Sequence, residues 1–487
     1  MRSVELTPVV VPEFGCPVGL PELPPAEYEA RLAAMRARMR EEGLDFLVVY
    51  GDREHAANVA FLTGYDPRFE ETLLVIGPAG AAAAPMLLVG NEGLTYSAIS
   101  PLDLERSLYQ TFSLLGQPRD RSKPLAALLA DFGLRRGSRI GVAGWKYFDR
   151  RETPTPALWL ETPAFIVDTL RELAGGSEHV TNATALLMDP EVGLRATNSA
   201  DQLAYFECVA TYCSQSVRDL LAGLRPGMTE FAAIQLMRLN GIPTACHPNL
   251  GSGPRAALGM MSPSGRVLQT GDPMLIGLGL QGALVARAGF LAHGPAELPA
   301  GAADYVDAVA KPYFAAAAAW WESLAIGASA GEIAETVIGL LKPAGLGPAL
   351  NPGHLIHLDE WVNSPFFIGS PHRLRSGMAL QCDIIPTPPA PYAPSNVEDG
   401  LALADDPLRT ELARKHPASW ARIERRRRFM AESLGLRLRP EVLPFSNWPA
   451  VLTPYLLEHV EHVHVERDNP PIHGFAFFNV DPSIPDL

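Results

Sequence analysis

Two histidines three residues apart, His354 and His357 in HLIH, are followed at once by Asp359 and Glu360. Further on, Asp383 ends SGMALQCD, and Glu398 opens the acidic pair of VEDGLAL. Imidazoles and carboxylates move protons and hold divalent cations. In a strand, His354 and His357 would point to opposite faces; on a turn, both would enter one site. His357 also reads as an ordinary structural histidine. If Asp383 and Glu398 lie on neighbouring strands, each raises the other's pKa, and the pair suits general acid/base work. No P-loop, HExxH or GxSxG motif occurs in the sequence. GLGLQG (Gly277–Gly282) lies inside a hairpin rather than between a strand and a helix, which argues against a dinucleotide site. Cys382 reads as core rather than nucleophile.

The elements that must position these residues follow from pattern. Ala26 to Glu42 reads as a helix with Tyr28, Leu32, Met35 and Met39 on one face and Gly43 as its stop. Short apolar runs at 44–50, 72–76, 86–89 and 139–143 read as strands among helical patterns, an α/β layer domain. A boundary falls near 190–198. Ser199 to Gln202 is a capping box for a helix to about Leu224, and a second helix is expected over Thr229–Leu239. Helices return at Ala302–Leu324 and after the capping box Ser329 to Glu332. Two helices, strands, two helices and strands again suggest internal pseudo-symmetry.

The chain has 487 residues, 47% hydrophobic and 19% charged, which suits two or three globular domains. Its formal net charge of −14 argues against nucleic acid or an anionic membrane as the main partner. The run Arg425–Arg428 reads as a solvated helix face. Five scattered cysteines without a CxxC pair, no signal-peptide core and no long apolar run favour a cytoplasmic protein.

An ordered set of segments resembles the pita-bread family of creatinase, prolidase, aminopeptidase P and methionine aminopeptidase. It comprises LLAGLRPGMTE (Leu220–Glu230), LGSGPRAAL (Leu250–Leu258), Gly271-Asp272, GHLIHLDEW, SGMALQCD and VEDGLAL. NVAFLTGYDPRFEETLLVI (Asn58–Ile76) resembles the N-terminal domain of creatinase and prolidase, so the likeness reaches nearly all of the chain before its tail. The implied fold is α+β: a smaller α/β domain at 1–195, a pita-bread domain at 196–405, and a C-terminal extension at 406–487 that packs on the pita-bread domain or on a partner.

In metal-dependent members, two Asp, one His and two Glu hold two cations that activate water for attack on an amide. The resemblance carries these positions onto Gly277, Ala288, His354, Asp383 and Glu398. Glycine and alanine hold no cation, so a two-metal centre is not expected. His354, Asp383 and Glu398 remain, either as ligands of at most one Zn, Mn or Fe ion, or as relics with no cofactor. The metal-free reading is favoured, because losing a bridging carboxylate removes charge a cation needs. Creatinase works without metal through a histidine before the hairpin; here Met260 stands at that place and transfers no proton. Another family histidine falls near Trp361. Arg287, beside Ala288, would act as an electrostatic clamp or lie on the surface. Tyr65, Arg68 and Phe69 resemble groups that reach the partner's pocket in creatinase-like dimers. Arg68 would grip a carboxylate, or pair with Glu70 or Glu71.

Three readings result. The first is a divergent C–N hydrolase, not a two-metal peptidase, acting on or binding a small carboxylate-bearing or dipeptide-like molecule, with catalytic His354, Asp383 and Glu398 and substrate-binding Arg68, Phe69, His357 and Arg287. The second is an inactive pseudoenzyme for ligand binding or dimeric interaction. The third is an Xaa-Pro dipeptidase or aminopeptidase with one metal. A homodimer is expected in each.

Overall fold

The structure is a computed structural model that describes residues 4–7, 9–78 and 84–458. Its first sheet has the strands β1 (Phe46–Gly51), β2 (Thr72–Ile76), β3 (Met86–Val89), β4 (Glu105–Leu108), β5 (Ile140–Ala143) and β6 (Val180–Asn182), in the spatial order β4-β3-β2-β1-β5-β6. FLVVYG, TLLVI and MLLV are buried at every position, because the sheet is packed on both faces. The helix Pro25–Glu41 buries Leu32, Met35 and Met39, the expected stripe.

A 24-residue helix, Ala200–Gly223, begins the second half; Ser199 caps it by accepting from the Gln202 N–H. The helix expected over Thr229–Leu239 is shorter, Glu230–Ile234. After it, the Leu236 and Met237 N–H groups bond three residues back, to Ala233 and Ile234, and the chain tightens out of the helix. Ser329 caps the helix Ala330–Leu341 as its capping box predicts.

The second sheet is built from β7 (Thr244–Ser252), β8 (Pro273–Leu280) and β9 (Ala283–Phe290). A small pair, β10 (Gly347–Pro348) with β13 (Pro386–Thr387), stands apart from it. β11 (His354–Leu355), β12 (Ala379–Cys382), β14 (Asn396–Leu403) and β15 (Val442–Pro444) complete the large sheet, ordered β11-β12-β14-β9-β8-β7, with β15 also on β14.

The helices Asp406–Lys415 and Pro417–Glu432 follow. The arginine run in the second is only partly solvated: Arg425 and Arg428 are exposed and Arg427 is half-buried, but Arg426 is not on a solvated face. Arg426 and Arg422 are buried and bind Glu207, which is fully buried on the helix Ala200–Gly223. Arg426 also donates to Thr211 Oγ1 and Asn447 Oδ1, each at 2.7 Å. A buried carboxylate requires counter-charge, and residues four apart on a helix present it from one side. Among the described residues no helix is long and apolar enough to cross a membrane.

Candidate functional site

Antiparallel pairing lines up one row of residues across the sheet. Asn249 on β7 pairs with Gly277 on β8, Gly277 with Ala286 on β9, and Ala286 with Glu398 on β14. Next to this row, Gln381 on β12 pairs with His354 on β11. In this register Gly277 faces Ala286; Ala288 lies two residues along, opposite Leu275 and Asn396. The tight turn at Gln281-Gly282 sets this register, which spacing along the chain does not show.

His354 is fully buried, and its Nδ1 donates to the Leu355 carbonyl at 3.0 Å. A carbonyl only accepts, so the ring proton sits on Nδ1 and Nε2 presents a lone pair. That nitrogen lies 3.5 Å from Glu360 Oε1 and 3.7 Å from Asp383 Oδ2. One ligand atom each from His354, Glu360 and Glu398 lie within 4.8 Å of one another. Gln381 Nε2 donates to Glu398 Oε1 at 3.3 Å and steadies it. Among the described residues, no hydrogen-bond partner meets His354 Nε2 or Asp383 Oδ1.

Burial governs the electrostatics. It pulls His354 down to about 4. It pushes Glu360 up to about 8, helped by Asp383 and Asp359, and Asp383 up to about 7. Glu398 rises well above the usual carboxyl range through burial and the charges of Asp383 and Glu360. A dry cluster of three carboxyl groups keeps protons or takes a cation.

His354, Asp383 and Glu398, expected together, are together. Glu360 joins them although its sequence signal was only its position six residues after His354. The expected binding residues do not. His357 is buried between the rings of Phe61 and Phe206, at 5.2 and 5.0 Å, and its Nδ1 accepts from the Leu358 N–H. Arg287 projects from β9 on the face opposite Ala286, as strand alternation requires. It is fully buried and paired with the fully buried Asp399 at 2.8 Å, so it is a structural ion pair rather than a pocket clamp or a surface residue. Arg68 binds Tyr96 at 2.9 Å and Asp66 at 3.7 Å, not Glu70 or Glu71, and Phe69 is 82% exposed. Met260 is exposed, and its carbonyl meets His247 Nε2 at 3.1 Å. Trp361 stacks on His354, ring centroids 5.0 Å apart.

The cluster borders a cavity of about 550 Å³ between the two halves of the chain. Asp359, Glu360 and Trp361 line it from one half; Glu54, His55, Trp145 and Tyr147 line it from the other. Asp359 ties the halves together through the buried Arg195, which also donates to Asn58 Oδ1 at 2.7 Å.

No family of known proteins matches the chain in sequence, and no curated protein does. Solved structures do match in fold. The Xaa-Pro dipeptidase from Bacillus anthracis superposes with a TM-score of 0.58 at 14% identity, over 77% of this chain and 94% of that one. The dipeptidase PepE from Mycobacterium ulcerans gives 0.57 at 19% identity, over 78% and 94%. The X-Pro aminopeptidase from Thermotoga maritima MSB8 gives 0.58 at 14%, over 77% and 95%. The chain therefore has the α+β pita-bread fold of prolidases and Xaa-Pro peptidases.

Proposed function

We propose that this protein is a divergent C–N hydrolase of small amides or dipeptide-like molecules, with a centre for one divalent cation rather than two. The observation that carries this reading is the His354 Nε2 lone pair facing Glu360 and Asp383, with Glu398 close by. Two buried polar atoms without partners in such a donor set fit a cation, and one imidazole with carboxylates suits Zn, Mn or Fe. His354, Glu360 and Glu398 would hold it. When bound, the cation supplies Lewis acidity at the scissile carbonyl. Asp383, buried beside His354, is placed to take and return a proton near neutral pH. Gln381 fixes Glu398, and Trp361 covers His354 from water.

Gly277 and Ala286 leave the hairpin without a carboxylate, which supports one cation and argues against two. This modifies the metal-free reading: Glu360 restores charge that the hairpin lost. Metal analysis of purified protein tests the centre, with one tightly bound divalent ion per chain expected and its loss in His354→Ala and Glu360→Gln. Protein that binds no Mn²⁺ or Zn²⁺ in calorimetry would defeat the cation. Hydrolysis of Xaa-Pro dipeptides and N-acyl amino acids with Mn²⁺ tests the chemistry. Binding of these molecules without turnover would favour the pseudoenzyme instead.

A further inference from the structure

The wall of the cavity contributed by the N-terminal half carries an oriented imidazole that the cation centre does not use. His55 Nδ1 lies 3.0 Å from Asp52 Oδ1 and 3.3 Å from Oδ2. Asp52 is itself fixed, accepting from the Glu54 N–H at 2.9 Å and the His55 N–H at 2.7 Å. The His55 ring stacks on Trp145, centroids 3.7 Å apart and planes 17° from parallel. One nitrogen is thus committed to a carboxylate and one ring face to an indole. Nε2 remains, on a half-buried side chain that lines the same cavity as Glu360 and Trp361.

The surroundings suit proton transfer. Burial alone would raise the Asp52 carboxyl, but hydrogen bonds from His55 outweigh it and hold that carboxyl below its usual value. A carboxylate on Nδ1 fixes the tautomer and stabilises the imidazolium that forms when Nε2 takes a proton. Lys146, Glu54, Asp359 and Glu360 share the cavity with the ring, and Tyr50 reaches Asp52 from β1 at 3.5 Å. The other histidines near the centre are poor candidates: His354 is tied to the cluster, and His357 is sealed between two phenyl rings.

We propose that His55, positioned by Asp52 and Trp145, is a catalytic acid supplied to the amide site by the N-terminal half of the same chain. The inference rests on the hydrolase reading above. As water adds to the acyl carbon, the carboxyl cluster takes one of its protons. The C–N bond then breaks, the electron pair goes to nitrogen, and the proton on His55 Nε2 goes with it to form the amine. The acyl product leaves as a carboxylate; His55 regains a proton from solvent, and the cluster returns its own.

The test is steady-state kinetics of the full chain with Mn²⁺ on a panel of Xaa-Pro dipeptides and N-acyl amino acids, alongside Mn²⁺ affinity by calorimetry. His55→Ala should lower kcat about 100-fold, with KM nearly unchanged. Its Mn²⁺ affinity should match the parent's, and added imidazole should restore part of kcat by filling the space above Trp145. His55→Gln should show the same loss, and Asp52→Asn should also lower kcat, through the wrong tautomer. Parental kcat in His55→Ala overturns the proposal. So does a loss that imidazole fails to rescue, or one accompanied by loss of Mn²⁺ binding, since either makes His55 structural. A parent protein that binds one Mn²⁺ but hydrolyses none of the panel overturns the hydrolase reading, and this inference falls with it.

Discussion

His354 Nε2 and Glu360 Oε1 face each other at 3.5 Å while the ring's proton is committed to the Leu355 carbonyl. The two lone pairs repel unless Glu360 keeps its own proton or a cation lies between them.

That contact sets a pH dependence for the metal-free protein. Glu360 and Asp383 titrate near 8 and 7 in the fold, against about 4 when unfolded. Between those values the folded chain holds protons the unfolded chain has lost, so stability falls as pH rises. His354, held near 4, acts oppositely up to about pH 6.5, where the unfolded ring loses its proton. Above about pH 6.5 only the carboxyl contribution remains. Thermal melts in EDTA should show Tm declining from about pH 6.5 to 8, and Mn²⁺ should remove the decline. A flat Tm in EDTA would count against the cluster.

The hairpin should accept introduced carboxylates. A Cβ at Gly277 would meet only ordinary contacts, Asn249 Nδ2 at 3.5 Å and the Ala286 Cβ at 3.6 Å. The double variant Gly277→Asp, Ala286→Asp is expected to bind a second Mn²⁺, read by calorimetric stoichiometry. The pair Gly277→Asp, Ala288→Asp should gain less, because Ala288 lies opposite Leu275 rather than Gly277. Equal gain from both pairs would contradict the register.

Arg287 should matter to stability rather than to binding. Arg287→Ala leaves Asp399 buried without its counter-charge, at a cost of about 3–5 kcal/mol. Urea denaturation measures this. Joint replacement of Arg287 and Asp399 by apolar residues should recover most of the loss, and Mn²⁺ affinity should hold in the folded double variant.

Arg68 and Phe69 are expected to act between subunits. Their side chains are exposed, and Phe69 keeps 82% of its surface open to solvent. Phe69→Ser is expected to weaken a homodimer about 10-fold, the worth of one buried aromatic contact. Sedimentation equilibrium reads this, and a parent chain that stays monomeric would end the expectation.

The strands and caps were legible because their signals are local. TLLVI and MLLV run as strands over the expected residues, and Ser199 and Ser329 cap the expected helices. His354, Asp383 and Glu398 were legible because the ordered motifs fix their strands. The rest depends on contacts that no spacing records. The Gln281-Gly282 turn decides whether Ala286 or Ala288 meets Gly277, and Glu360 reaches His354 because the loop after β11 turns back. Arg287 and His357 looked available because strand facing and burial between halves appear only in three dimensions. Arg426 looked solvated because its partner, Glu207, lies 219 residues earlier.

That last separation has a consequence for synthesis. Glu207 leaves the ribosome long before Arg422 and Arg426, its only counter-ions among the described residues, and before Asn447, which closes the network. Until then the helix Ala200–Gly223 carries a carboxylate that cannot be buried at acceptable cost. A chain that stops near residue 405 lacks these partners for Glu207, and its pita-bread half is expected to be less stable and more open to chaperones and proteases.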